Sequence, residues 1–157
     1  MAIYEGSQGI TALKAKIAMK SKKLVGESLE KIAVMLVDES PLGAEYYASK
    51  QGAIQNDVGD FKNSWVVGLG TPDLSTRAAD TAGTAAVADA IVKGKRYNLE
   101  ETNYVTNNKD HAEMVEDGWA DNPEYGWKAK QGYHVVGNNI GAAKAICEIV
   151  AQKISKI

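Results

Sequence analysis

The chain has 157 residues, 45% of them apolar, and a net charge of −2 at pH 7, enough for one ordinary domain with its own core. Charges of both signs are mixed, 18 Lys and Arg against 20 Asp and Glu, which excludes a global electrostatic pull toward nucleic acid or membrane. The one cysteine, Cys147, excludes an internal disulfide framework and fits a reducing compartment; no run approaches the roughly 20 apolar residues of a membrane span, and no signal peptide is visible.

Residues 1–8 read as a loose polar terminus. Helical signal starts near Gly9. Ile10, Leu13, Ile17, Leu24, Leu29, Ile32, Ala33 and Leu36 recur mostly at steps of three, four and seven, which makes one stripe on a helix. Lys14, Lys16, Lys20, Lys22 and Lys23 crowd its first half. A basic amphipathic stretch suits a membrane surface or DNA in a channel, but a solvated face is the commoner origin of such a pattern. Gly26 costs the helix about 1 kcal/mol relative to alanine and marks a bend or a close contact. The helix should stop by Ser40-Pro41, since proline disfavours a helical residue before it. Residues 41–55 are ambiguous: Ala44, Tyr47, Ala48, Gln51 and Ile54 fit a short helix between Gly43 and Gly52.

Asn56, Asp57 and Gly59 supply turn chemistry, and the turn is expected to feed directly into a strand reaching about Leu69. Phe61, Trp65, Val67 and Leu69 share one face by the two-residue period, with Asn63 interrupting it. Residues 70–83 read as a loop with Arg77 in its middle, and a loop of that length is usually functional or mobile. An alanine-rich helix follows, capped by Thr84 and ended by Gly94. Asn103–Asn107 reads as a strand and 108–110 as its turn. Residues 111–116 make a helical turn or two, capped at Asp110 and stopped at Gly118. Residues 118–133 form a second loop holding Trp119, Tyr125, Trp127 and Tyr133 beside Lys128 and Lys130. A short strand is expected at 133–136, and Asn138 or Asn139 opens the last helix, with Ile140, Ala143, Ile146, Cys147, Val150, Ala151 and Ile154 as its stripe. The fold class is therefore α+β: a small mixed or antiparallel sheet packed by a long N-terminal helix and a C-terminal helix, in one domain spanning 1–157.

Reactive chemistry is sparse. His111, His134 and Cys147 match no zinc spacing, so no metal is expected. No Gly-x-Ser-x-Gly elbow places a nucleophile. Gly68-Leu69-Gly70 lacks both a third glycine and a Gly-Lys-Ser/Thr, so it is no phosphate loop, and no cofactor is expected. Glu113, Glu116 and Asp117 form a close carboxylate cluster; acid–base work or cation binding is one reading, a solvated helix turn the commoner one. The aromatic loop suits a protein interface, a return onto the core or, behind these, stacking on single-stranded nucleic acid.

Two separated stretches carry a resemblance. Asp57-Val58-Gly59-Asp60-Phe61-Lys62-Asn63-Ser64-Trp65 resembles the first signature of tailed-bacteriophage neck and tail-completion proteins, the minor tail components near the head–tail junction. Tyr104-Val105-Thr106-Asn107-Asn108, followed by residues His111 to Trp119, is similar to the second. Lys62 stands for the usual arginine, His111 for the usual tyrosine, and Asp117 for the aromatic before glycine. The resemblance covers most of the chain. It implies a non-enzymatic protomer of a homo-oligomeric ring, usually a hexamer, that links the tail tube to the head connector or terminates the tube. Its partners are then itself, the tail tube and the connector, with DNA only in transit and no membrane, and its place is the virion after assembly in the host cytoplasm. A ring needs heterologous contacts, and loops 70–83 and 118–133 are their expected carriers: Asp73 and Arg77 in the first, Trp119, Tyr125, Trp127 and Lys128 in the second. The rival readings are a small enzyme using Glu113, Glu116 and Asp117, and a single-stranded nucleic-acid-binding module using the aromatic loop.

Overall fold

A computed structural model describes residues 3–42, 58–96, 101–121 and 130–156. The elements in order are α1 (Ile3–Asp38), α2 (Asp60–Asn63), β1 (Trp65–Leu69), α3 (Thr84–Arg96), β2 (Asn103–Asn107), α4 (Ala112–Asp117), β3 (Gly118–Trp119), β4 (Lys130–Gln131) and α5 (Val135–Ser155). The α+β expectation holds: β1 and β2 form a two-stranded antiparallel sheet, and the long terminal helices pack with it.

Helix α1 has 36 residues, about 54 Å at 1.5 Å per residue. It begins at Ile3 rather than near Gly9. Once a helix is nucleated, each further residue adds one bond at small cost, and Gly6 and Gly9 are not enough to stop it. Only its second half is buried. Leu29 and Ala33 meet Val67 and Ala90, while Leu36 and Val37 meet Phe61, Trp65, Ala86, Val115 and Val135. Helix α3 crosses α1 closely because both carry glycine at the crossing. A Cβ on Gly26 would lie 2.2 Å from the Gly94 carbonyl oxygen, and one on Gly94 would lie 2.8 Å from that of Gly26. Gly26 is thus the close contact, and α3 runs through Gly94 to Arg96 instead of ending there. Ala86, Ala90 and Gly94, four residues apart, are the buried row of α3.

The turn before β1 does not feed straight into the strand. Gly59, at φ 86°, starts one helical turn, α2, which carries Phe61 and Asn63. The strand begins only at Trp65. Phe61 meets the Trp65 ring edge-on, with centroids 5.6 Å apart. The indole Nε1 donates to Ser40 Oγ at 2.7 Å, and Ser40 Oγ in turn donates to the Leu36 carbonyl at 2.6 Å, which satisfies the buried Trp65 and ends α1 at the expected place.

Trp65 pairs with Asn107 and Leu69 with Asn103 across the sheet. Trp65 and Val67 face the helices. Val66, fully buried, and Gly68 face the other side, where residues 71–79 fold back as a strap. The strap passes so near that a Cβ on Gly68 would lie 2.2 Å from the Thr71 carbonyl oxygen.

Helix α5 opens at Val135, three to four residues before the expected Asn138 or Asn139, and no strand forms at 133–136. The Tyr133 and His134 amides instead donate to the Val115 and Glu116 carbonyls of α4 at 2.8 and 3.1 Å. Val135 joins the Leu36–Val37 cluster and Lys153 pairs with Glu27 at 3.3 Å, so α5 runs antiparallel to α1. The ends of loop 118–133 pair as β3 and β4, Gly118 with Gln131 and Trp119 with Lys130. The short helix considered within 41–55 lies, from residue 43 onward, outside the described residues.

Candidate functional site

The polar centre of the molecule lies along the edge of β1 that β2 does not cover. Trp65 and Val67 turn backbone groups to that edge, and side chains take three of the bonds an extra strand would make there. Arg77 donates to the Trp65 carbonyl, the Val67 amide donates to Asp89 Oδ2 at 2.9 Å, and Lys93 Nζ donates to the Val67 carbonyl. These three charges form a chain with Asp73. Asp73 meets Lys93 at 2.7 Å, Lys93 meets Asp89 at 3.1 Å, and Asp89 meets Arg77 at 3.2 Å. Asp89 and Lys93 share a face of α3 by their four-residue spacing. Asp73 and Arg77 reach them from the strap. An unpaired strand edge invites pairing with another chain, and this one is closed by charge.

Electrostatics follow the geometry. The Lys93 hydrogen bond, with further bonds from Ser75, holds the Asp73 carboxyl well below the usual carboxylate range. Partial burial works to lower the Lys93 ammonium, but hydrogen bonds to Asp73 and Asp89 outweigh it and the net shift is upward. Asp80, bonded by the Ala82 and Thr84 amides at 2.9 Å each, is also lowered.

The second stretch of the resemblance ties down the strap and, through Asn107, the first stretch. Thr106 Oγ1 and Asn108 Nδ2 both donate to the Asp73 carbonyl, at 3.0 and 2.7 Å, and pin the strap. Asn107 Nδ2 donates to the Phe61 carbonyl at 2.8 Å and pins α2. Asn63, which interrupts the apolar period in the sequence, is buried; its Oδ1 accepts from the Ala85 and Ala86 amides at 3.1 Å each, and its Nδ2 donates to the Ala78 carbonyl at 2.9 Å. Asn63 therefore caps the N-terminus of α3 across 22 residues, with Asp80 taking the Thr84 amide.

Of the expected contact residues, Asp73 and Arg77 are engaged within the chain, their side chains 29% and 18% exposed. The backbone of Trp119 lies in β3. Tyr125, Trp127 and Lys128 lie outside the described residues. The carboxylate cluster does not converge. Both oxygens of Glu116 accept amides from the first turn of α5, Val136 at 3.0 Å and Gly137 at 2.9 Å, while Glu113 and Asp117 are exposed. Among the described residues, no group of three or more His, Cys, Asp or Glu side chains is placed to hold a metal ion. Among them, too, no helix is long and apolar enough to cross a membrane.

The feature that sequence reasoning missed is on the surface. Ile10, Leu13, Ile17 and Met19 on α1 are 55–68% exposed, and on α5 Val136, Ile140 and Ile149 are 44%, 66% and 63% exposed. The apolar period was visible in the sequence, but period alone does not tell a covered stripe from an open one. No family model, curated protein or solved structure matches the chain.

Proposed function

We propose that the chain is a virion structural protein of a tailed bacteriophage, at the neck or tail end, that assembles into a homo-oligomeric ring between tail tube and head connector. The observation that carries this reading is the pair of open apolar rows, Ile10, Leu13 and Ile17 on α1 and Val136 and Ile140 on α5. Contiguous exposed apolar surface of this kind marks sites of association. Two unlike rows suit a ring, because head-to-tail contacts between different patches close by rotation. The pairing of the two resembling stretches, Trp65 with Asn107 onward, supports treating them as one structural unit. The role is architectural rather than catalytic. DNA passes through such a ring only in transit, and tight phosphate contacts would oppose passage.

The test is co-sedimentation with purified tail tubes and with connectors. The protein should pellet with at least one of them. The double variant Tyr125→Ala/Trp127→Ala should lower the bound fraction while leaving the fold intact by circular dichroism. Sedimentation of the protein with neither partner would remove the neck reading.

A further inference from the structure

Helix α1 outruns the body it packs on. Each residue from Ile10 to Met19 is exposed, so about 15 Å of the helix stands clear over that stretch. Its apolar row is ordered. Ile10, Leu13, Ile17 and Leu24 fall within about 60° of one another around the helix, and Lys14 and Lys20 lie on either side of that row. Farther along, α1 packs with α5, whose last turns lie near Glu27.

A second open row lies on α5. Val136, Ile140, Ala143, Cys147 and Ala151 follow the spacing i, i+4, i+7, i+11, i+15. Val136, Ile140 and Cys147 are exposed, while Ile154, five turns after Val136 on the same row, is buried, as are Val135 and Val150. Exposed carboxylates of Glu113 and Asp117 on α4 stand near its N-terminal end, where Glu116 of α4 takes the Val136 and Gly137 amides, with Lys144 two to three turns farther along.

Charge divides between the two parts. Residues 1–23 carry five lysines and one glutamate, a net +4, so with −2 in total the remaining residues carry −6. A basic helix with an apolar row therefore belongs to a chain whose body is acidic and carries an apolar row of its own.

We infer that the occupant of the α1 overhang is a second copy of this chain: the Ile10–Leu13–Ile17 row docks on the Val136–Ile140–Cys147 row of the neighbouring protomer, head to tail. The inference rests on the ring reading above and supplies its contact. Helices pack by such rows, and the lysines flanking one meet the carboxylates beside the other.

Cys147 makes the contact measurable, because it is the only cysteine and it stands in the α5 row. Ile17→Cys adds a thiol to the overhang, and a short bismaleimide is the probe. Cross-linked multimers should form with Ile17→Cys, but neither with the wild-type protein nor with Ile17→Cys/Cys147→Ser. Dimers from the latter variant would mean that overhangs pair with each other, and would overturn the head-to-tail contact. The second variant is Ile17→Glu. Its position is 55% exposed, so melting of the protomer should be unchanged while association weakens about tenfold or more. If the wild-type protein has a ring mass in solution, without cross-links and with Ile17→Glu equally assembled, the docking inference fails and the ring reading survives. If the wild-type protein is monomeric with and without tail tube, the ring reading fails, and cross-linked multimers alone would keep the contact. Binding of the overhang to anionic vesicles, with no cross-links between copies, would overturn the inference in favour of a lipid surface.

Discussion

Asn63 shows how one side chain joins three parts of the chain. It ends α2, receives the first amides of α3 and holds the Ala78 carbonyl of the strap. Its replacement by alanine removes a cap and leaves three backbone groups, the buried Ala86 amide among them, without that partner. The two effects together should cost about 2–3 kcal/mol, read as a lower urea midpoint with unchanged slope. Glu116 plays the same part for α5 through the Val136 and Gly137 amides. Neither role is legible locally. A polar residue breaking an apolar period looks like noise in the sequence, and a carboxylate in an acidic turn looks solvated. The groups they bond are about twenty residues away. For the same reason α5 starts ahead of the asparagines that resemble caps: Asn138 and Asn139 instead donate to the Tyr133 and Val135 carbonyls at 3.0 and 2.8 Å.

At the scale of elements, the α1–α3 crossing and the strap each make a quantitative claim. Alanine at Gly26 must push apart two helix backbones, because its Cβ would meet the Gly94 carbonyl oxygen at 2.2 Å. The overpacking should cost about 1–3 kcal/mol despite alanine's better helix propensity. Gly141 on α5 is the internal control. A Cβ there meets nothing within 4 Å, so Gly141→Ala should stabilise by about 0.5–1 kcal/mol; thermal unfolding of the two variants should shift in opposite directions. The strap is tied by charge. Asp73 has a lowered carboxyl, so its contribution is full above the unfolded value of about 4 and is lost as pH falls toward the lower folded value. Lys93 has a raised ammonium, so its contribution is full below about 10 and is lost as pH rises through the folded value. Asp73→Asn should therefore cost about 1 kcal/mol between pH 5 and 9, a partly exposed pair being worth no more, and the difference from wild type should shrink below about pH 4 in urea unfolding followed against pH. Strands β1 and β2 were largely legible because hydrophobic alternation and turn residues bound them. Closure of the β1 edge was not, because Arg77, Asp89 and Lys93 converge only once α3 lies beside the strand.

At the scale of the whole molecule, the sequence carries a run of helically spaced apolar positions from Ile10 to Leu36, and folding divides it. The half from Leu29 onward is core; the half before Met19 is open. Periodicity reports that a helix has an apolar side, but what covers that side depends on how far the other elements reach, and α5 ends beside Glu27. The proposed ring would cover the pair of open rows by association. Solution mass by light scattering, across protein concentration and with and without purified tail tube or connector, tests that claim most directly. A closed ring, or a protomer that becomes one on its partner, is the result expected. A protomer that stays monomeric at high concentration and in the presence of both partners would contradict it.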